Sequence, residues 1–502
     1  MMNSEWMARN ARAGALLLAA VAIFGIAGII VSCSGGSSNN MSMSSSMGTV
    51  NVSMSDPPSC MPPNGQFVHV YVTVRSVQAH ISATADDNSP GWQELAPQLA
   101  SAPMQIDLFS KPQTTCILAQ LGSASLPAGS YQQIRLLLVS NTPAASDATP
   151  GTNACAGNGF NCVVLDDSAI HELELSSQAN TGLKIPPGQI VGGPLQVTAG
   201  QSVDLNIDFN ACASIVQEGN GKFRLKPTLT AGQVSANNTG ISGKVVDSGT
   251  SAPIAGSVQV AIEQPDPTSG IDRILMQTVA DSNGNFNFCP LPTGMFDIVV
   301  VAIGPANMPY NATTVLNVPN GTNLGAIPLI AEVGAMSPAV FQGFVTATNG
   351  AAAGTIDVSL SALQTVPTGA TSTLPITIPL QTIPATNTTP EVDSTGLISV
   401  SASTSCPTGA PAKANCAQYT LVVPASNPSV GIFSSSGFKY STPASGDVLF
   451  TVDARAAVPL SGGTPDCTPS EQMVSKDSTA AALKALPATT TNVAEIDFST
   501  CM

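Results

Sequence analysis

The residues of this 502-residue chain that could carry chemistry are three histidines, 31 carboxylates, 11 cysteines and a few soft or aromatic side chains. A Ser-His-Asp hydrolase needs an imidazole within reach of a hydroxyl and a carboxylate. His69 lies on an alternating strand, His80 at a strand end, and His171 beside Glu172 in a second alternating run. No G-x-S-x-G elbow accompanies them, so all three read as exposed strand histidines. Asp204 with Asp208, or Asp166 with Asp167, are the carboxylate pairs that glycosidic cleavage would need. Four residues along a strand span about 13 Å, beyond the ~5–9.5 Å that such chemistry uses, and solvated face residues are the simpler reading. Asp281, Asn283 and Asn285 begin like a calcium loop, but Cys289-Pro290 stands where the acidic partner is due, so this is a turn. Met41, Met43 and Met47 are soft copper ligands only in name, since no His or Cys joins them. Trp92, after Pro90-Gly91, is the candidate ligand-binding residue: it would stack on a sugar, with packing against the sheet as the ordinary alternative. No catalytic residue, metal site or cofactor is assigned, and the chain is expected not to be an enzyme.

Cys33 offers a different chemistry. An apolar run from Ala13 to Val31 precedes it, with Arg9 and Arg12 on the N-terminal side, and Ser34-Gly35-Gly36-Ser37-Ser38-Asn39-Asn40 follows. The run is long enough to cross a bilayer, so length alone leaves an uncleaved helix open. The stretch Ile30-Val31-Ser32-Cys33 resembles the lipobox of bacterial lipoproteins. That resemblance implies cleavage before Cys33, lipidation of its thiol, and acylation of the new N-terminus. Two or more acyl chains anchor stably where one does not. Ser34, where an Asp would signal retention in the inner membrane, points to the outer one. The expected address is the cell envelope, facing the periplasm or the cell surface, with the membrane as a partner through the lipid.

Composition agrees with export. Charged residues are 9%, the net charge is −15, and 43% of residues are hydrophobic, which favours folded domains over disorder. Nucleic acid is not an expected partner, because phosphate neutralisation needs basic clusters. Setting Cys33 aside leaves an even number of thiols, as an oxidising compartment allows. The candidate pairs are Cys60 with Cys116, Cys155 with Cys162, Cys212 with Cys289, Cys406 with Cys416, and Cys467 with Cys501, connectivity being open.

The elements that must position these residues are strands. Val50, Val52 and Met54 alternate with polar residues, as do Val68, Val70, Val72 and Val74, and then Val203, Leu205, Ile207 and Phe209. Pro and Gly turns separate them, so the class is all-β, in tandem antiparallel β-sandwich domains after a cleaved lipoprotein signal peptide. The expected division is 1–32 signal, 33–47 lipidated Cys and flexible tether, 48–235, 239–332 and 336–502. In the first domain the strand ending at Asp56-Pro57, the segment from Leu126-Pro127-Ala128-Gly129-Ser130-Tyr131 to Leu136, and the ending Phe223-Arg224-Leu225-Lys226-Pro227 resemble the domain of unknown function 4382 of bacterial lipoproteins. That family implies an address and no reaction.

In 239–332, Gly240-Ile241-Ser242-Gly243-Lys244-Val245-Val246-Asp247, the Asn283-Gly284 turn and Leu291-Pro292-Thr293-Gly294-Met295-Phe296 resemble a carboxypeptidase regulatory-like domain. The resemblance implies a seven-stranded transthyretin-like sandwich without catalysis, with Asn283-Gly284 turning a tight hairpin. Residues 336–502 resemble nothing and read as a further β-rich, disulfide-stapled domain. Within it Ser478 to Leu486 is expected to be a short alanine-rich helix, and Thr365 to Asn387 a long loop. The function expected is binding, adhesion or scaffolding at the outer membrane, with a protein or glycan ligand. The alternatives are a carbohydrate-binding envelope protein, or an enzyme housed in 336–502.

Overall fold

The period-two alternation of aliphatic residues becomes strand throughout the computed structural model. It describes residues 47–501 except 57–65, 111–118, 176–181, 186–188, 218–220, 226–228, 235–239, 293, 333–336, 350–355, 370, 386–391, 401–414, 435–438 and 458–466. Helix amounts, among the described residues, to Ala211–Ser214, the 3-10 turns Pro97–Ala100 and Pro305–Asn307, and Gln189. The all-β, tandem-sandwich expectation holds. The sheets are mainly antiparallel, with parallel pairs where distant strands meet, as between Met47–Ser55 and Ser202–Phe209.

In the first region one sheet runs in the order Ile190–Val191, Leu229–Val234, Ser202–Phe209, Met47–Ser55, Ala119–Pro127. The second is built around the long strand Phe67–His80. That strand buries Phe67, Val70, Val72, Val74, Val77 and Ala79. Its alternation slips after Phe67 and again at Arg75, where the pairing register shifts by one residue. Each slip is a bulge that turns one residue out of the pattern, which is why Val68 stands only half-buried and Arg75 exposed.

The middle region places seven strands in two sheets among the described residues. One is Asn285–Phe288, Ile241–Asp247, Asn323–Leu329; the other is Asp272–Val279, Ser257–Pro265, Met295–Ile303, Thr313–Pro319. The Asn283-Gly284 step is not a hairpin turn: Asp272–Val279 and Asn285–Phe288 belong to different sheets, and the turn carries the chain between them. Gly284 has φ +80°, and a Cβ there would sit 2.3 Å from the Val245 carbonyl oxygen. The Asp281 carboxylate accepts from the amides of Asn283 and Asn285, so the calcium-loop candidate is a turn.

The last region forms sheets on Ala339–Asn349 and on Ile356–Pro367. Its strand Ser429–Ile432 leaves both and pairs, in parallel, with Thr313–Pro319 of the middle region. Val299, Val301, Ala312 and Leu316 of the middle region accordingly share one apolar core with Phe341, Ile376, Leu421 and Phe498. A division at 336 does not capture that exchange. Ser478 to Leu486 is not helical. Lys476 bridges Ala482, Leu449 bridges Lys484, and Leu483 and Ala485 are buried while Lys484 between them is not. Burial of alternate side chains outweighs the few tenths of a kcal/mol per residue that separate Ala from other residues in a helix. Thr365 to Asn387 is likewise not one long loop, since it contains the strand Thr373–Ile378.

Disulfides join Cys155 to Cys162 and Cys467 to Cys501. Cys289 and Cys416 are also disulfide-bonded. Cys33, Cys60, Cys116, Cys406 and the side chain of Cys212 lie outside the described residues.

Candidate functional site

The parallel register of Met47–Ser55 on Ser202–Phe209 sets polar residues side by side: Asn51 beside Asp204, Ser53 beside Asn206, Ser55 beside Asp208. On the opposite face the same strands bury Val50, Val52, Met54, Leu205, Ile207 and Phe209 in the core. Asn51 Nδ2 donates to Asp204 Oδ1 at 2.7 Å and to Ser202 Oγ at 3.1 Å. Ser53 Oγ donates to Asn206 Oδ1 at 3.0 Å, Asn206 Nδ2 to Ser55 Oγ at 2.8 Å, and Ser55 Oγ to Asp208 Oδ1 at 3.0 Å. These side chains find partners across the strand pair, and that is what lets the row be buried.

The two ends of the row differ. At Asn51 and Asp204 it opens into a shallow groove of about 530 Å³ lined also by Gln98, Gln120, Gly122 and Ser123. Gly122 has φ +146°, and the Gln98 carboxamide lies across it to donate to the Leu121 carbonyl. The lining is amide, hydroxyl and one carboxylate, without a cation, an aromatic ring or an aliphatic side chain. Such a surface exchanges hydrogen bonds with a neutral polar ligand and offers no charge to balance an anion.

At the other end the row is closed. Asp208, Thr230, Ala231 and Gly232 line one small cavity with Leu291, Pro292 and Phe296 of the middle region, and Asp208 is 5% exposed. Asp208 is therefore buried, not solvated as the strand pattern suggests. Burial pushes its carboxyl up to about 7 against the pull of Ser55. Asp56, also buried, is raised well above the ordinary range, first by burial and then by the neighbouring Asp208.

The histidines separate. His69 Nδ1 lies 2.7 Å from Asp107 Oδ2, and its ring stacks on Tyr71. The pair has the spacing of a base and its orienter, and among the described residues no serine or cysteine is bonded to the imidazole. His80 is buried rather than exposed: Nδ1 accepts from the Ser82 amide and Nε2 bonds to the Pro90 carbonyl. His171 packs against Phe223.

Trp92 is half-buried. Its Nε1 donates to the Asp86 carbonyl at 3.0 Å, the Arg135 guanidinium lies 4.1 Å over the ring, and His80 packs beside it. The cation occupies a face that a sugar would need. Among the described residues no group of three or more His, Cys, Asp or Glu side chains is placed to hold a metal ion. None of these features is legible as a site in the sequence: Gln120 and Ser123 join Asn51 and Asp204 only through pairing between strands far apart in the chain, and Gln98 arrives on the 3-10 turn Pro97–Ala100.

Comparison with known proteins bears on the first region. Residues 47–227 match the family model of the domain of unknown function DUF4382. The groove and the closed acid end both lie within the DUF4382 region, apart from the residues beyond it that cover Asp208. No curated protein matches. Among solved structures, the Bacillus anthracis TIE protein is 8% identical, with a TM-score of 0.15, over 91% of this chain and 51% of its own. A leucine-rich repeat protein from Bacteroides thetaiotaomicron is 9% identical, TM-score 0.19, over 53% and 27%. A streptococcal ancillary pilin is 10% identical, TM-score 0.16, over 89% and 99%. The chain thus spans about half the length of the first and about a quarter of the second. At these TM-scores the likenesses say nothing of what this chain does.

Proposed function

We propose that this is a non-catalytic envelope lipoprotein that acts as a binding, adhesion or scaffolding module, held at the outer membrane through Cys33. The observation that carries the scaffolding part is the way the regions are fastened. Arg224 of the DUF4382 region makes a two-pronged pair with Asp357 of the last region. Arg273 of the middle region pairs with Asp453 and Glu471 of the last. With the exchanged strand Ser429–Ile432, these contacts fasten together sheets far apart in sequence, as a scaffolding role would need. The lipid anchor rests on the lipobox resemblance, and the non-catalytic reading of the middle region on its likeness to carboxypeptidase regulatory-like domains. Palmitate labelling of wild type and Cys33→Ala, with membrane fractionation, tests the anchor: label and membrane association should both vanish in the variant. Labelling that survives the substitution would remove the address.

A second reading, carbohydrate binding, is favoured by the groove between Asn51 and Gln120. Its amides and carboxylate suit the paired hydroxyls of a neutral glycan. On a glycan array, signal should be lost in Asp204→Ala and kept in Trp92→Phe. Loss confined to the Trp92 variant would place the ligand elsewhere.

A further inference from the structure

Three carboxyl groups converge on one face of the middle region, under the last region. Glu263 on Ser257–Pro265 lies directly across from Asp297 on Met295–Ile303. Asp272 begins the neighbouring strand two residues before Ile274, the partner of Glu263, so its side chain shares that face. Glu263 and Asp272 are 0% exposed and Asp297 is 7% exposed. The lid is the strand Thr373–Ile378, whose Thr377 amide donates to Glu263 Oε2 at 3.2 Å and whose hydroxyl donates to the Asp272 carbonyl at 2.6 Å.

The donors run out there. Asp297 Oδ1 accepts from the Asn317 amide, but both oxygens of Asp272 and Oε1 of Glu263 find no donor among the described protein groups. The side chain Asp272 meets is the Asp297 carboxyl. Two carboxyl groups can bond to each other only through a proton. The nearby cation, Arg273, pairs with Asp453, Glu471 and Asp266, and its pull on Glu263 is the weakest of the influences on that carboxyl. The other charged group near this edge, Arg455, is exposed and acts on Asp266. Thr377, on the lid, is uncharged.

We propose that Glu263, Asp272 and Asp297 form a proton-held lock between the middle and last regions, closed while protons bridge the carboxyl groups and released as they leave. Burial, then the neighbouring carboxylates, raises Glu263 well above its usual range, and burial with the Asp297 contact takes Asp272 to about 9. For a carboxyl raised on folding, the stabilisation is complete below the unfolded value and is lost as pH rises through the folded one. The lock is therefore tight in acid and weakens from about pH 4 towards 9. An envelope protein meets external pH directly, so the joint would respond to its surroundings.

The test uses the full chain. Denaturant unfolding at pH 5, 7 and 9 should show the unfolding constant rising by up to about tenfold per pH unit for each retained proton. Asp272→Asn, which keeps the shape and removes the charge, should lose about one tenfold step per unit. Hydrogen exchange, corrected for its intrinsic pH dependence, should rise with pH at Ser257–Pro265 and Thr373–Ile378 while Phe67–His80 stays protected. The infrared carbonyl band of a protonated carboxyl should be present at pH 7 in wild type and reduced in the variant. If Asp272→Asn fails to fold, Glu263→Gln is read in the same way. An unchanged pH slope in a folded variant, or no difference in the infrared band, overturns the lock.

Discussion

Arg224 and Asp357, 133 residues apart, face each other across the join between the first and last regions, with Nη2–Oδ1 at 2.6 Å and Nη1–Oδ2 at 3.0 Å. Asp357 is 1% exposed and the arginine side chain 11%. Taking both charges out of water is offset only while both are present. Arg224→Ala should therefore cost about 3–5 kcal/mol, because it strands a buried carboxylate. Replacing both by apolar residues of similar volume should cost far less. Denaturant titration of the two variants checks this, and equal losses would show that the pair itself is not what matters.

Asp208 makes a second pH prediction, independent of the acid cluster in the middle region. Its folded-state value of about 7 lies above its unfolded one, so its stabilisation is complete below about pH 4 and gone above about pH 7. At ~1.4 kcal/mol per unit this amounts to a few kcal/mol at most. Asp208→Asn should melt at or above the wild-type temperature at pH 8, with a flatter slope between pH 4 and 7.

Gly122 accepts the Gln98 side chain where a Cβ would lie 1.8 Å from its Nε2, at φ +146°. Gly122→Ala should destabilise by roughly 1–3 kcal/mol through the backbone and the clash together. Adding Gln98→Ala should recover only the clash. Thermal melts of the single and double variants separate the two parts.

The Cys467–Cys501 bridge closes a loop of sequence separation 34, and Cys155–Cys162 one of 7. Loop-closure entropy gives the longer bridge about 3–4 kcal/mol and the shorter about 2–3 kcal/mol. Paired Cys→Ser variants at each site, unfolded without reductant, should rank in that order. The reverse order would mean that strain or residual structure outweighs loop length.

The strand class is legible in the sequence because alternation is local. Val50, Val52 and Met54 announce a buried face within five residues, and the Cys155–Cys162 and Cys467–Cys501 bridges are among the candidate pairs, although the sequence leaves their connectivity open. The signal fails where a second contact is stacked on the first. Asp208 reads as solvated because its strand has one clear apolar face, and the cavity over the other face is lined by Leu291, Pro292 and Phe296, distant in sequence. The alanine-rich run Ser478 to Leu486 reads as helical because nothing near it reveals that Leu449 will bridge Lys484.

The sequence by itself determined which residues could be strands and which side of each would be apolar, since both follow from a period of two along the chain. It also carried the DUF4382 likeness of the first region. Only the tertiary structure decided which polar faces would be buried: Asp208 against the middle region, Asp357 against Arg224, Glu263 and Asp272 beneath Thr377. A charge leaves water only beside a partner, as Asp357 does, and a carboxyl without one keeps its proton; either way the groups that enclose it come from strands whose meeting no local pattern encodes.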